Sequence, residues 1–200
     1  MAASAGKIKL TVDAAADGSD DDSLVAVTAA AMEEMGFVAG DTVLVKGKKG
    51  KDTLAIVVAD AACAEGSLRM GSTMRKNLAL ALGDAATLCT PPQVNFATTV
   101  KVLPYDDSIK GISGDIYQVF VRPYFMDTYR PVKRGDRFMS RRAMKAVEFK
   151  IVEVEPGPYA IVGPDTLVDC KGDAIKRRDE SSLADVGYDD VGGVSKQVRE

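Results

Sequence analysis

The 200-residue chain contains no histidine, no tryptophan and only three cysteines. Without an imidazole, the chain acting alone can form no Ser-His-Asp or Cys-His nucleophile and no zinc site that uses histidine. Cys63, Cys89 and Cys170 are too far apart for a CxxC motif, and their odd number argues against a disulfide framework. We interpret them as small core residues of a protein from a reducing compartment. A large part of enzyme chemistry is therefore excluded.

Long apolar runs and a strong excess of one charge are also absent. No segment approaches the roughly 20 apolar residues of a membrane span, and the N-terminal residues lack the apolar run of a signal peptide. Lysine and arginine number 26 against 29 aspartates and glutamates, so the net charge of −3 provides no general attraction for nucleic acid. Hydrophobic residues make up 46% of the chain, enough to bury a core. We expect a folded cytosolic or nuclear protein without direct membrane insertion.

Short runs rich in valine, isoleucine, leucine and threonine recur between glycine, aspartate and proline. This spacing of apolar runs between turn-forming residues favours a β-rich barrel or sandwich. The predicted strands span residues 7–12, 24–27, 42–46, 53–58, 98–103, 116–122, 146–154 and 159–162. Two short helices are predicted at residues 29–35 and 72–80, with Ser72 as the N-cap of the second.

The dipeptide Gly-Asp precedes a strand-like run three times, at Gly40, Gly83 and Gly135. A glycine there can adopt the left-handed conformation, and the aspartate carboxylate can accept amide hydrogen bonds from the turn. Two of these turns lie in the first ninety residues and suggest a pseudo-symmetric barrel, whereas the third belongs to a second unit. The alternative, that Gly-Asp is merely a common turn dipeptide, stays open at this point.

Composition also suggests where the chain divides. Consecutive prolines at Pro91 and Pro92 predict a connector between two sub-barrels. Residues after Gly172 are charged and predict a linker that leaves the core. The expected divisions are a flexible N-terminus at 1–20, sub-barrels at 21–92 and 93–172, and at 173–200 a linker with the start of a further, truncated domain.

Known catalytic motifs are absent from the sequence. In the hairpin sequence GKKGK, residues 47–51, Val45 occupies the first glycine position of a phosphate-binding loop and Asp52 the hydroxyl position. Acidic clusters at 20–22, 106–107 and 189–190 are interpreted as solvated turn carboxylates. We therefore predict no catalytic residue and no metal site.

The strongest local charge lies between residues 130 and 145, where seven bases face a single acid. The bases are Arg130, Lys133, Arg134, Arg137, Arg141, Arg142 and Lys145. With the aromatic residues at 124, 125, 129 and 138, this cluster could bind nucleic acid by stacking. Bidentate contacts to an acidic protein surface and a simple solvated face are the other interpretations.

Several long strings of the chain resemble the amino-terminal region of the valosin-containing protein family of hexameric AAA+ ATPases. They are RPYFMDTYRPVKRGDRF, AVEFKIVE, PYAIVGPDT and VGYDDVGG, preceded by GDTVLVKGKKGK, LRMGSTMRKNL and VLPYDDSIKGISG. The resemblance covers roughly residues 21–193. It implies a mainly β fold, α+β by strict count, with a double-psi β-barrel, a smaller four-stranded β-barrel and a C-terminal linker. It also implies no catalysis by this chain, because ATP or ADP with magnesium would bind in ATPase domains that follow.

The same resemblance implies a domain that recruits adaptors, and through them ubiquitinated substrates, to an unfoldase of ubiquitin-dependent and endoplasmic-reticulum-associated degradation. UBX-type domains and short peptide motifs would bind in the cleft between the sub-barrels. The implied cleft residues are Asp21, Leu24, Val38, Ile56, Val58, Phe96, Tyr129 and Arg130. On pattern alone, Leu24, Ile56 and Val58 are equally typical of buried strand positions. Phe96 replaces the family's tyrosine, and Val38 with Ala39 replaces a Phe-Arg pair, so adaptor preference is expected to be shifted.

Two further sets of residues follow from the resemblance. Arg75, Arg141, Lys145 and Arg177 match a face that contacts the first ATPase domain, and Asp190, Val191 and Gly192 match positions near the adenine of its nucleotide. We expect a monomer, because ATPase domains build the family's homohexamer, and a location in cytoplasm and nucleus with recruitment to the endoplasmic reticulum through partners. A nucleic-acid-binding β-barrel that uses the 130–145 cluster is the alternative function.

Overall fold

A computed structural model describes residues 6–16 and 21–178 of the chain. In these ranges the strands form a closed six-stranded barrel, a four-stranded sheet and a two-stranded sheet. The mainly β fold, with a double-psi barrel followed by a smaller β unit, is therefore confirmed. Short helices and turns connect the strands.

The first barrel is built from two topologically equivalent halves. Its strands are β1 (Lys7–Ala14), β2 (Leu24–Val27), β3 (Thr42–Lys46), β4 (Asp52–Ala59), β5 (Ser67–Met70) and β6 (Ala85–Cys89). Their order around the barrel is β1-β5-β2-β4-β3-β6, with β1 parallel to β5 and β2 parallel to β4. Exchanging the first three strands with the last three reproduces every pairing, so the predicted pseudo-symmetry is confirmed.

Alternation along the strands separates the inside of the barrel from its outside. Val25 and Val27 of β2 and Val57 of β4 are fully buried, whereas Leu24 and Ile56 lie on the outer face. The inward valines, leucines and methionines of all six strands form one core cluster. Cys63 and Cys89 are buried as predicted, and Cys170 is half-buried against the core of the second unit.

Two helices lie between the barrel strands. Helix α1 (Ala29–Met35) begins at Thr28, whose hydroxyl accepts the Ala31 amide at 3.1 Å, and ends at the left-handed Gly36. Helix α2 (Ser72–Asn77) is shorter than predicted. The predicted N-cap is wrong: Gly71 occupies that position, and no side chain caps the helix.

The three Gly-Asp turns share one backbone geometry, which confirms the predicted repeat. Gly40, Gly83 and Gly135 have φ of 96°, 89° and 95°. Each glycine amide donates to a strand carbonyl, and the following aspartate carbonyl accepts the amide of that same strand residue, at N···O distances of 2.7–3.0 Å. The strand residues are Val57, Val12 and Ile151 respectively. Gly-Asp is therefore a structural repeat here, because the same pair of bonds closes all three turns.

The second unit packs two sheets around an aromatic core. Its strands are β7 (Thr99–Pro104), β8 (Arg130–Lys133), β9 (Arg137–Arg142), β10 (Lys145–Glu155), β11 (Tyr159–Val162) and β12 (Leu167–Asp169). The sheet orders are β12-β7-β10-β9 and β11-β8. Phe138 stacks on Tyr124 and on Phe149, with ring centroids 4.4 and 5.2 Å apart.

The strand predicted at residues 116–122 is wrong. This segment forms a π-helical turn, Tyr117–Val121, that continues into helix α3 (Arg122–Phe125). The side chains it buries are spaced as on a helix face, and they extend beyond the predicted strand. They are Phe120, Val121, Tyr124 and Phe125. Five short strands were also missed, namely β5, β6, β8, β9 and β12.

Two expected domain limits are corrected. The N-terminal segment 1–20 is not simply a flexible extension, because β1 pairs with β5 and β6 and closes the barrel. The segment after Gly172 does not leave the core at once. Ile175 donates its amide to the Pro104 carbonyl at 2.8 Å and accepts the Asp106 amide at 2.9 Å. The second unit therefore continues to the end of the described residues.

Gly47 makes a close backbone approach that no other residue type can reproduce. A Cβ atom there would lie 2.1 Å from the carbonyl oxygen of Leu78, which accepts the Lys48 amide at 3.0 Å. We expect Gly47→Ala to lower the free energy of unfolding by about 2 kcal/mol or more, since backbone must move. Urea denaturation measures the change. Gly71→Ala is the control, because its Cβ would lie 3.6 Å from the nearest atom; an equal loss in both variants would contradict the steric account.

The β9–β10 hairpin closes with a two-residue turn in an unfavourable conformation. Ala143 and Met144 have positive φ values of 52° and 61°. A two-residue type I′ turn requires positive φ at both positions, and the sequence Asn-Gly is the one that most often provides it. We expect Ala143→Asn combined with Met144→Gly to raise the free energy of unfolding by about 1 kcal/mol. A thermal or urea unfolding curve measures this, and a loss of stability would show that the existing side chains stabilise the turn.

Candidate functional site

One arginine joins the two barrels. Arg130 begins β8, and its Nη1 lies 2.7 Å from Asp21 Oδ1 and 3.0 Å from Ser23 Oγ, just before β2. Its Nε donates to the Tyr124 carbonyl at 2.6 Å, and its guanidinium lies 3.9 Å from the centre of the Tyr124 ring. Only 13% of the arginine side chain is exposed. Its position is therefore determined by both barrels at once.

The two acids beside this arginine are structural. Burial acts to raise the pKa of Asp21, but hydrogen bonds from Ser23 and the charge of Arg130 lower it below its ordinary value. For Asp22, burial prevails and raises the pKa, although its carboxylate accepts the Met139 amide at 2.8 Å. The interpretation of these acids as solvated turn carboxylates is wrong, because both are partly buried between the barrels.

The edge strand β9 is capped by side chains of the first barrel. Asp22 accepts the Met139 amide, and Asn77 Oδ1 accepts the Arg137 amide at 2.9 Å. The Asn77 amide group also donates to the Arg137 carbonyl at 2.9 Å. Unpaired edge groups invite another strand. Here these edge groups instead attach the second unit to the first.

A second polar cluster lies further along the interface. Lys133 Nζ lies 2.8 Å from Asp52 Oδ1, and the Tyr159 hydroxyl donates to the same oxygen at 2.7 Å. The Thr53 hydroxyl donates to the Asp136 carboxylate. Tyr159 also packs against the outer face of β3, β4 and β6. We call the whole interface, formed by residues 21–23, 52–54, 77, 130–139 and 159, the seam.

An aliphatic surface lies beside the seam on the first barrel. Leu24 and Ile56 face each other across the β2–β4 pairing and, with Val58, are half-buried on the outer face. The interpretation of these three residues as buried core is therefore wrong. Val38 is 68% exposed in the Gly40 turn, which is hydrogen-bonded to β4 between Ile56 and Val58.

An exposed aromatic pair lies on the second unit. The rings of Phe96 and Tyr129 have centroids 5.9 Å apart, and the two residues are 60% and 59% exposed. Gly163 lies beneath them, since a Cβ there would come within 3.1 Å of the Phe96 ring. Tyr129 directly precedes Arg130, so the anchored arginine positions the aromatic ring. We call the apolar surface on both sides of the Asp21–Arg130 pair the cleft.

Of the eight predicted cleft residues, Asp21 and Arg130 form the ion pair of the seam, and Leu24 and Tyr129 directly adjoin seam residues in the chain. The assignment of all eight to one binding site stays a prediction. A neighbouring groove on the second unit was missed by sequence reasoning. It adjoins Tyr129 and is lined by Tyr117, Val121, Met126, Pro164, Thr166 and Val168. The wrong strand at 116–122 concealed it, because a helix there places Tyr117 and Val121 beside β12.

The residues matched to an ATPase-domain face lie in three places. Arg141 and Lys145 lie together on the β9–β10 hairpin, where Lys145 donates to the Gly111 carbonyl at 3.2 Å. Arg75 lies on α2 and donates to the Met70 carbonyl at 2.9 Å. Arg177, on the segment after β12, forms an internal cluster instead.

Arg177 is bound within the second unit. It pairs with Asp107 at 2.6 Å and with the buried Glu148, and its guanidinium lies 4.3 Å from the Tyr105 ring centre. The hydrogen bonds that Arg177 donates to Asp107 and Glu148 raise the pKa of the arginine. The arginine therefore ties the C-terminal described segment to β10. Asp190, Val191 and Gly192 lie outside the described residues.

The basic cluster at 130–145 does not form one open surface. Arg130, Lys133 and Arg137 pair with Asp21, Asp52 and Glu148. Of the four aromatic residues considered for stacking, only Tyr129 is exposed, because the others belong to the core. Three of the seven bases and three of the four aromatic residues are thus used in internal contacts, whereas Arg134, Arg141, Arg142 and Lys145 are exposed.

Other site chemistries find no support among residues 6–16 and 21–178. No helix there is long and apolar enough to cross a bilayer. No group of three or more cysteine, aspartate and glutamate side chains in that part is arranged to hold a metal ion. The fold and the site together define a domain of two β units joined at the seam, with exposed apolar side chains on both units.

Two family models match this chain. Residues 9–88 match cell division protein 48 (CDC48), N-terminal domain, and residues 111–177 match cell division protein 48 (CDC48), domain 2. Together the matches cover well over half of the 200 residues. The chain belongs to the CDC48 family and carries the N-terminal domains of a CDC48-type AAA+ ATPase. The first match includes most of β1 and the second ends at Arg177, in agreement with the corrected limits.

The seam predicts energetic coupling between Asp21 and Arg130. Replacing Arg130 by Met leaves a partly buried carboxylate without its cation, so we expect the free energy of unfolding to fall by about 2 kcal/mol. Adding Asp21→Asn should recover part of the loss. A double-mutant cycle in urea measures the coupling, expected at about 1 kcal/mol or more.

The exposed pair Lys48–Asp84 is a matched control, because its atoms are 2.8 Å apart, close to the 2.7 Å of the seam pair, while 54% of the lysine side chain is exposed. The same cycle with Lys48→Met and Asp84→Asn should give a coupling clearly smaller than that of the seam pair, since solvent screens an exposed pair. Additive effects at Asp21 and Arg130 would contradict their role as the link between the barrels.

Proposed function

We propose that this chain recruits adaptor proteins to a CDC48-type ATPase through the cleft. In this proposal the partners are UBX-type domains and short peptide motifs, which bring ubiquitinated substrates to ubiquitin-dependent degradation, including that associated with the endoplasmic reticulum. The observation that carries it is the exposure of Val38, Phe96 and Tyr129, with Tyr129 directly before the arginine of the partly buried Asp21–Arg130 ion pair. Membership of the CDC48 family supports it.

The chemistry of the cleft suits an inserted apolar loop. Aromatic side chains such as Phe96 and Tyr129 are frequent anchors in interfaces, because they bury a large area with few rotatable bonds. The aliphatic surface of Leu24, Ile56 and Val58 offers the opposing contact. Arg130 is already held by Asp21, so little ordering is needed when a partner binds.

The residue types in the cleft suggest a preference. Val38 and Ala39 are short, and Phe96 has no hydroxyl group, so this part of the cleft offers few polar contacts. A polar partner side chain buried there would lose hydrogen bonds to water without replacement. We propose that apolar loops bind better here than arginine-rich helices.

The remaining parts of the proposal concern the complete ATPase. ATP or ADP with magnesium would be bound by ATPase domains, where residues corresponding to Asp190, Val191 and Gly192 approach the adenine. This proposal assigns no nucleotide to the 47–51 hairpin, whose turn is tight and whose Lys48 pairs with Asp84. The complete protein would be a homohexamer of cytoplasm and nucleus, recruited to the endoplasmic reticulum by partners, with Arg75, Arg141, Lys145 and Arg177 near the ATPase face.

Calorimetric titration with a UBX domain tests the cleft. We expect Tyr129→Ala and Ile56→Asp each to raise the dissociation constant at least about tenfold, since one removes an aromatic anchor and the other places a charge in the apolar surface. Binding to the unchanged chain is required for the comparison. If the unchanged chain does not bind, the proposed partner class is wrong.

Leu82→Ala serves as the matched control, because Leu82 is 56% exposed in the Gly83 turn, away from the cleft. It should leave the dissociation constant unchanged. Urea denaturation of each variant separates loss of the site from loss of the fold. Unchanged binding by both stably folded cleft variants would show that partners use another surface.

A further inference from the structure

The third Gly-Asp turn uses its carboxylate differently from the other two. In the turns at Gly40 and Gly83, the aspartate carboxylate accepts an amide of its own turn, at 2.9 and 2.8 Å. In the third turn, the Asp136 carboxylate instead crosses the seam and accepts the Thr53 hydroxyl hydrogen. The aspartate carboxylate of this motif thus caps its own turn in two cases, and in the third case it connects the two barrels.

Asp136 lines a small cavity between the barrels. The charged and titratable groups that face it from the first barrel are Asp22, before β2, Lys51, in the hairpin before β4, and Asp52 in β4. Those from the second unit are Arg130 and Lys133 in β8, Arg137 in β9 and Tyr159 in β11. Asp136 is therefore surrounded by groups of both signs from both barrels.

Two carboxylates compete here for one lysine. Lys133 is 2.8 Å from the Asp52 carboxylate and also donates to the Asp52 carbonyl at 2.7 Å, and Tyr159 adds a hydrogen bond. These bonds overcome burial and lower the pKa of Asp52. For Asp136, burial dominates over the Thr53 bond and the Lys133 charge and raises the pKa to about 7. Neighbouring acids with opposite shifts titrate separately.

We propose that a proton on Asp136 makes the closure of the seam dependent on pH. With the proton bound, the Asp136–Thr53 contact is neutral and the two barrels are held tightly. Loss of the proton places a second buried negative charge beside Asp52 and weakens the contact between the barrels. This proposal concerns the seam alone and does not require the partner proposed for the cleft.

The direction of the effect follows from proton linkage. Folding raises the pKa of Asp136 from its ordinary 3.8 to about 7, so the folded protein binds the proton more tightly than the unfolded chain does. The stabilisation is fully present below the ordinary pKa. It declines as pH rises through the window between these values and is lost above about 7.

The first test compares urea unfolding midpoints of the 200-residue chain at about pH 5.5 and about pH 8, values on either side of the raised pKa. We expect the unchanged chain to have the lower midpoint at the higher pH. Asp136→Asn should reduce this difference, because the amide cannot titrate. Asp84→Asn, at the equivalent turn of the first barrel, should retain it. If Asp136→Asn also retains the full difference, the proposal is overturned.

The second test needs no variant and so holds even if Asp136→Asn fails to fold. Carbon-detected NMR of the carboxyl groups should give a titration midpoint for Asp136 near 7. The Asn77 side-chain amide and the Thr53 backbone amide, on the first-barrel side of the seam, should shift with the same midpoint, whereas the Ala81 amide beside Asp84 should not. A midpoint for Asp136 near the ordinary value, or no shift across the seam, would overturn the proposal.

Discussion

The attachment of the two barrels through buried polar groups is the constraint on which the rest of this structure depends. Arg130 is held by Asp21 and Ser23 from one barrel and by Tyr124 from the other, and the edge of β9 is capped by Asp22 and Asn77. Apolar contacts alone tolerate sliding, whereas a displaced buried hydrogen bond leaves groups unsatisfied. Because the aliphatic surface belongs to the first barrel and the Phe96–Tyr129 pair to the second unit, their relative position depends on the seam.

Repetition within the fold shows how one local motif can have several uses. The turns at Gly40, Gly83 and Gly135 make the same backbone bonds, because each requires a left-handed glycine at a strand crossing. The environment of the aspartate side chain differs between the turns. Asp84 lies near solvent, and the hydrogen bonds that its carboxylate accepts lower its pKa. Asp136 is buried against the first barrel, and this burial raises its pKa. The same dipeptide is thus a turn cap in one place and an interface residue in another.

Charge clusters in the sequence were a poor guide to open surfaces. The run at 130–145 has seven bases and one acid, but three of the bases pair with acids outside the run, two of them distant in sequence. These acids neutralise part of the basic cluster in the folded protein, but they lie outside the run, so the sequence of the run still looks strongly basic. The same holds for Arg177, whose partners Glu148 and Asp107 lie about thirty and seventy residues earlier. The surface that remains available beside the seam is apolar and small, which favours recognition by shape.

Local patterns by themselves determined most of the first barrel. Short runs rich in valine, isoleucine, leucine and threonine located β2, β3 and β4, and the Gly-Asp repeat indicated the internal symmetry, because both signals are carried by neighbouring residues. Strands β8 and β9 were missed because they contain Pro131 and several arginines, which obscure the alternation of buried and exposed residues. Contacts in the seam stabilise these strands. The cleft residues came from the family resemblance. Alternation shows that Leu24 and Ile56 share a face, but only tertiary packing decides whether that face is covered, because coverage depends on where a second barrel is attached.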